Sequence, residues 1–215
     1  YYKSLKIMNF EKPSIVLCED DKSALDLYNI FISIYPKDNI CYFPAHDSLP
    51  FSDEKSSKEI LLERSFQLIK LQNQNIIIIS CNNLLKKFSI QHDSKHYFKL
   101  DVNQEISLSE TLETLVNFEH VNNANVYNRC EFSHRGDILD IYNFHRNPFR
   151  ISFFDNTIES IKEFSPQTQL TNKKFLNSIT IVNPNFENNI NSNQGISILS
   201  YLENRDIYSF NRSDI

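Results

Sequence analysis

Residues Phe149–Phe154 read FRISFF, an alternation that puts Phe149, Ile151 and Phe153 on one side of a strand and Arg150, Ser152 and Phe154 on the other. If the all-apolar side is the core, Arg150 and Phe154 share an outer face. An exposed aromatic beside a guanidinium is the composition of a protein-binding hot spot. Upstream, Arg135 precedes Gly136 at the entry to another strand-like run, where glycine permits a turn or bulge that would aim the arginine outward. A second reading is purely structural: Phe154 packs beneath a loop, and the arginines pair with Asp137, Asp140 or Asp155. Periodicity alone favours that second reading.

Other chemistries find less support. The two glycines, Gly136 and Gly195, cannot build G-x-x-x-x-G-K-[ST] or G-x-G-x-x-G, which need several glycines to bring backbone amides close to phosphate. No cofactor is therefore expected in this stretch. Of the six histidines, His92 and His96 have i, i+4 spacing, but their segment is polar and a third ligand is missing, so they read as solvated surface residues and no metal is expected. His46 beside Asp47 reads as loop polarity, and no serine or cysteine sits in a nucleophile elbow, so no catalytic residue is assigned. Cys18, Cys41, Cys81 and Cys130 are widely spaced, and three lie in or at the end of apolar runs. That is the pattern of reduced, buried thiols in a cytoplasmic protein. A net charge of -5 argues against tight nucleic-acid binding by this stretch alone, because phosphate contacts need clustered Lys and Arg. Apolar runs stay well short of the roughly 18 residues that a membrane span needs, and no signal peptide is evident.

Two kinds of structure must position these groups. Residues 1–95 alternate strand and helix. Ser14–Cys18 (SIVLC), Ile40–Phe43 (ICYF) and Ile76–Ser80 (IIIIS) are short apolar runs of the kind buried in a parallel sheet. Asp20 and Asp21 offer N-caps to a helix with Ala24, Leu27, Tyr28, Phe31 and Ile34 on one face. Ser56 with Glu59 makes a capping box for a helix lined by Leu62, Phe66 and Ile69. Right-handed crossovers and a parallel sheet follow. From about residue 96 the pattern becomes α+β. Ser107 with Glu110 caps a helix carrying Leu112, Leu115 and Val116. The strand-like runs Asn125–Phe132, Ile138–Tyr142, Phe149–Phe154 and Thr157–Phe164 then follow so closely that hairpins must join them, with Asp155-Asn156 as one two-residue turn. Later come a strand at Ser178–Val182, a polar loop over Asn183–Asn193 and a helix start at Gly195–Leu202. The expected organisation is an α/β lobe over 1–95, an inserted α+β domain with a mainly antiparallel sheet over 96–174, and a return to the first lobe over 175–215. With 215 residues, 40% of them hydrophobic, the chain can bury a sizeable core.

Two segments carry a family resemblance. Phe43-Pro-Ala-His-Asp-Ser-Leu-Pro-Phe51 resembles the F-P-x-x-[ED]-x-L-P-[YF] segment of the bacterial transcription-repair coupling factors (the Mfd family). Glu131–Tyr142 (EFSHRGDILDIY) resembles the R-G-x-[LIV]-[LIV]-D-[LIV]-[FY] segment that this family shares with the excision-repair protein UvrB. Arg150–Asp155 and Ile158–Phe164 continue the match, so the likeness spans nearly the whole chain. It implies an N-terminal UvrB-like module whose first lobe is built like a helicase motor domain that has lost its ATPase. The inserted domain would bind UvrA through the matching residues Arg135, Arg150 and Phe154. The implied role is a non-catalytic adaptor that recruits UvrA to stalled transcription complexes in nucleotide excision repair. The chain starts at Tyr1 without Met and reads as a fragment, with the family's P-loop region falling before it. The parent would be a cytoplasmic, ATP-dependent DNA translocase that holds ATP and Mg in a downstream motor. Other parts of it would bind RNA polymerase and DNA, and a C-terminal region would cover the UvrA face at rest. The alternative is the front part of UvrB, a DNA-dependent ATPase that verifies damage. UvrB carries a Tyr-rich hairpin that clamps DNA, whereas the matching region here, Asp47–Lys58, is short and has no tyrosine.

Overall fold

The computed structural model describes residues 12–34, 39–48, 56–85, 87–88, 96–185 and 196–210. In chain order the elements are β1 (Ser14–Cys18), α1 (Asp21–Ile34), β2 (Ile40–Phe43), α2 (Lys58–Lys70), β3 (Ile76–Ser80), β4 (Lys87–Phe88), β5 (Tyr97–Asp101), α3 (Leu108–Asn117) and β6 (Val121–Asn122). They continue with β7 (Glu131–Arg135), β8 (Ile138–Tyr142), β9 (Phe149–Phe154), β10 (Thr157–Phe164), β11 (Thr171–Leu176), β12 (Ser178–Val182), β13 (Ile196–Ser197), α4 (Ile198–Tyr201) and β14 (Asp206–Phe210). The chain divides into two units, Tyr1–Gln91 with Asn189–Ile215, and His92–Asn188. The architecture is mixed α/β, with one parallel sheet and a mainly antiparallel one.

The three apolar runs of the first unit form a parallel sheet as their composition requires, and β14 joins them in the order β14-β1-β3-β2. Every residue of β3 is buried. Asp20 caps α1 by accepting the Ser23 N–H at 2.7 Å. Ala24, Leu27 and Phe31 then pack on Val16, Ile40, Ile76 and Ile78, while Tyr28 is half-buried and Ile34 is exposed at the helix end. The cap of α2 is Ser57, which accepts the Ile60 N–H, and not Ser56. Ser56 is buried instead, with its hydroxyl 2.8 Å from His46 Nδ1. The buried face of α2 is Leu61, Leu62, Arg64, Ser65 and Leu68, with Phe66 and Ile69 only partly covered. The face is turned because Arg64 points inward, and a pattern that counts arginine as polar cannot anticipate this.

In the second unit six strands lie in the order β11-β10-β9-β8-β7-β6, antiparallel except for the short β6–β7 pair. Their inner face presents Phe132, Leu139, Ile141, Phe149, Ile151, Phe153, Ile158 and Ile161 to one core, closed by Leu115 of α3. Ser107 caps α3 by accepting the Glu110 N–H at 3.1 Å. Leu112 packs on the core from this helix, and Val116 is exposed. The strand expected from Asn125 begins only at Glu131. The Glu131 carboxylate accepts the Tyr127 and Asn128 N–H groups at 2.8 Å each and so fixes the loop before it.

Ser178–Val182, expected to return to the first lobe, pairs antiparallel with β5 and lies in the second unit. Its alternation buries Ile179 and Ile181 in the same core as β9, a placement that local pattern alone does not distinguish. The helix expected from Gly195 is confined to α4, capped by Ser197. Gly195 itself lies outside the described residues, as does most of the polar loop before it.

Candidate functional site

Arg135 ends β7, and Gly136-Asp137 turns the chain into β8. Gly136 has φ +56°, the conformation that the first central residue of a tight hairpin turn adopts and that L side chains resist. No atom lies within 4 Å of where its Cβ would be, so the backbone angle and not space calls for glycine. The Phe153 N–H donates to the Asp137 carbonyl at 2.8 Å and clips the turn to β9. The registers set Arg135 opposite Ile138 and Asp140 opposite Arg150.

Both arginines converge on Asp140, which is 1% exposed. Arg150 donates Nε to Oδ1 at 2.6 Å and Nη2 to Oδ2 at 2.7 Å, a bidentate fork. Its Nη1 donates to the Gln169 carbonyl at 3.3 Å, and its Cζ lies 5.0 Å from the centre of the Phe164 ring. Arg135, from the neighbouring strand, donates Nη2 to the same Oδ2 at 3.2 Å, with its side chain 55% exposed. The bond to Asp140 raises the Arg150 pKa above its ordinary value against the opposing effect of burial. One buried carboxylate thus orients two guanidinium groups and leaves the trio with a net charge of +1.

Phe154 sits four residues beyond Arg150 on the same face of the same strand and is 71% exposed. The Asp155-Asn156 turn beside it, with Asp155 at φ +51°, is held by the Ile106 N–H donating to the Asn156 carbonyl at 2.7 Å and by a bridge between Glu105 and Thr157. The aromatic therefore projects from a fixed hairpin end. The arginines do pair with a neighbouring aspartate, Asp140, but Phe154 is not packed beneath a loop. Gln169 escapes sequence reasoning altogether. Its φ of +60° and its side-chain bonds to the Val126 and Pro166 carbonyls at 3.0 and 2.7 Å make it part of the Arg150 setting, and nothing in its local pattern signals that.

Elsewhere the polar groups serve the fold. Asp47 Oδ1 accepts the Ser57 N–H at 2.9 Å, which secures the start of α2. Hydrogen bonds to Ser57 hold its carboxyl below the usual range, against a smaller opposing effect of burial. Asp21, at the carboxyl end of β1, accepts the Ala45 N–H at 2.8 Å and the Tyr42 hydroxyl. Arg64 is fully buried under Pro44 and Asn83. His92 lies outside the described residues, and among the described residues no group of three His, Cys, Asp or Glu could hold a metal.

This geometry falls inside a recognised module: residues 98–186 match the UvrB interaction domain. Across nearly its full length it is also similar to the transcription-repair-coupling factors of Rickettsia bellii, 29% identical over 89% of the chain, and of Rickettsia conorii, 31% identical over 88%. The likeness to the UvrB-like module of the coupling factors therefore holds. The chain spans 18% of the length of each of these relatives. The UvrABC system protein B of Oleidesulfovibrio alaskensis is 24% identical over 74% of the chain, so the resemblance to UvrB is the weaker one. No described helix is long and apolar enough to cross a membrane.

Proposed function

We propose that the outer face carrying Arg135, Arg150 and Phe154 is a landing site for UvrA, and that the chain is a non-catalytic adaptor in transcription-coupled nucleotide excision repair. The observation that carries the proposal is the pairing of two arginines preorganised on Asp140 with a phenylalanine that is 71% exposed, all within the UvrB interaction domain. An arginine fork keeps donors for carboxylates of a partner, and Phe154 fills an apolar pocket beside them. The likeness to coupling factors supports the wider reading. The parent is an ATP-dependent DNA translocase in the cytoplasm, with ATP and Mg in a downstream motor and with RNA polymerase and DNA bound by other parts. In this reading the first unit is a scaffold descended from a helicase-like lobe, and a C-terminal region of the parent masks the UvrA face at rest.

Calorimetric titration of the chain with purified UvrA tests the central claim. Binding that drops at least about tenfold in Arg150→Ala and Phe154→Ala supports it. Absence of binding, or binding indifferent to both substitutions, overturns it. Masking predicts that the full-length parent binds UvrA more weakly than the chain does.

A further inference from the structure

We infer that the docking face does not end at Arg150 but continues across the sheet through Lys162 to Phe175, and that it takes a protein surface that is acidic around an apolar pocket. This rests on the UvrA reading and extends it. The strand registers set Ser133, Asp140, Arg150, Lys162 and Phe175 side by side on five adjacent strands. Alternation puts them on the outer face, since their neighbours Leu139, Ile151 and Ile161 fill the core. Ser133 and Asp140 are buried, 3% and 1% exposed, so the accessible part of the row runs from Arg150 to Phe175, roughly 10 Å at about 4.8 Å per strand.

Phe175 is 66% exposed, on a strand that otherwise presents Thr, Asn and Lys. Lys162 Nζ lies 4.7 Å from the centre of its ring, so the cation is held over the aromatic and beside Arg150. Arg150 thus lies between two exposed phenylalanines, Phe154 along its own strand and Phe175 two strands away. Such aromatics on a sheet face that already buries its other side have no core to fill, and they match the central residues of a protein interface.

The charge selects the occupant. On this face the four cations Arg135, Arg150, Lys162 and Lys173 outnumber three carboxylates: Asp140, which is buried and bound by the arginines, Glu131, which accepts the Tyr127 and Asn128 N–H groups, and Glu159 at the bulge of β10. A chain of net charge -5 therefore keeps a locally positive sheet face, which complements carboxylates. A standard interface also needs about 800 Å² on each partner, more than three residues supply. The continuation through β10 and β11 adds exposed aromatic and cationic surface toward it.

The test is titration of the 215-residue chain with UvrA, using Lys162→Glu and Phe175→Ala beside Arg135→Ala and Phe154→Ala, with circular dichroism to verify folding. Both new variants are expected to weaken binding about tenfold, Lys162→Glu with a slower association that depends less on salt. If Arg135→Ala and Phe154→Ala weaken binding while Lys162→Glu and Phe175→Ala match the unmodified chain, the face stops at β9 and the extension is wrong, although the UvrA reading stands. If none of the four changes the affinity, the UvrA reading fails and the extension with it. Binding of a fluorescent single-stranded oligonucleotide that Lys162→Glu abolishes would instead assign this basic, aromatic row to nucleic acid and overturn the inference.

Discussion

Arg150 meets Asp140 edge to edge, with Nε and Nη2 at 2.6 and 2.7 Å from the two carboxylate oxygens, and Asp140 is 1% exposed. The pair joins β8 to β9 across one register position, and Arg135 reaches the same carboxylate from β7. A guanidinium so held loses little freedom when a partner arrives, so it is presented rather than merely present.

That arrangement makes Asp140 the joint of the cluster. Asp140→Ala leaves Arg150, 23% exposed, against Arg135 with no intervening charge, and is expected to cost about 3 kcal/mol of stability. Arg135→Ala removes a bond to a half-exposed side chain and is expected to cost less than about 1 kcal/mol. Urea unfolding of the two variants checks this. Equal losses would show that Asp140 does not carry the cluster.

Acid should loosen the second unit through two carboxylates. Burial pushes the Glu131 pKa up, but hydrogen bonds from Asn128 and the Tyr127 N–H more than offset this and hold it below the ordinary value. At Glu163 burial is likewise outweighed, by bonds from Lys174, Asn147 and Asn172. A depressed folded pKa means that the unfolded chain binds more protons, so both groups stabilise the fold above the ordinary carboxylate range. That contribution is lost as pH falls through it toward their folded values. The urea midpoint should decline from pH 6 to pH 3, and Glu131→Gln should flatten the decline. An unchanged slope in that variant would remove Glu131 from the account.

How much of this was legible beforehand depends on which physics was local. β8, β9 and β10 match their sequence runs residue for residue, because period-2 alternation and the Asp155-Asn156 turn are local signals. The outward placement of Arg150 and Phe154 follows from the same alternation. The burial of Arg64 does not, since it depends on the Pro44 carbonyl and the Asn83 side chain, each about 20 residues away. Nor does the pairing of β12 with β5, which joins residues nearly 80 positions apart. Asp140 was one of three aspartates open to the arginines, and only the β8–β9 register decides among them.

The four thiols should divide by burial. Cys18, Cys41 and Cys130 are buried and Cys81 is exposed. Burial pushes the thiols of Cys18 and Cys41 up to about 12, which keeps them protonated and unreactive at neutral pH. A thiol-specific disulfide reagent at pH 8 should modify one cysteine per folded chain quickly and the other three only in denaturant. Rapid reaction at two or more sites, mapped by mass spectrometry, would contradict the buried placement.

Arg64 tests whether the first unit depends on a charge or on a shape. Its guanidinium is fully buried, donates to the Pro44 carbonyl and to Asn83 Oδ1 at 2.7 Å, and has its Cζ 4.3 Å from the centre of the Phe43 ring. Asn83 in turn donates to the Phe43 carbonyl at 3.3 Å, so one side chain ties α2 to the ends of β2 and β3. Arg64→Ala leaves a carbonyl and an amide oxygen without these donors and opens a cavity. The expected cost is about 3 kcal/mol or more. Arg64→Lys keeps the charge, but a point-like ammonium cannot lie flat on Phe43 and reach both oxygens. It should recover less than half of that loss in urea unfolding. Full recovery by lysine would mean that the buried charge alone suffices, and that the planar fork and its stacking on Phe43 contribute little.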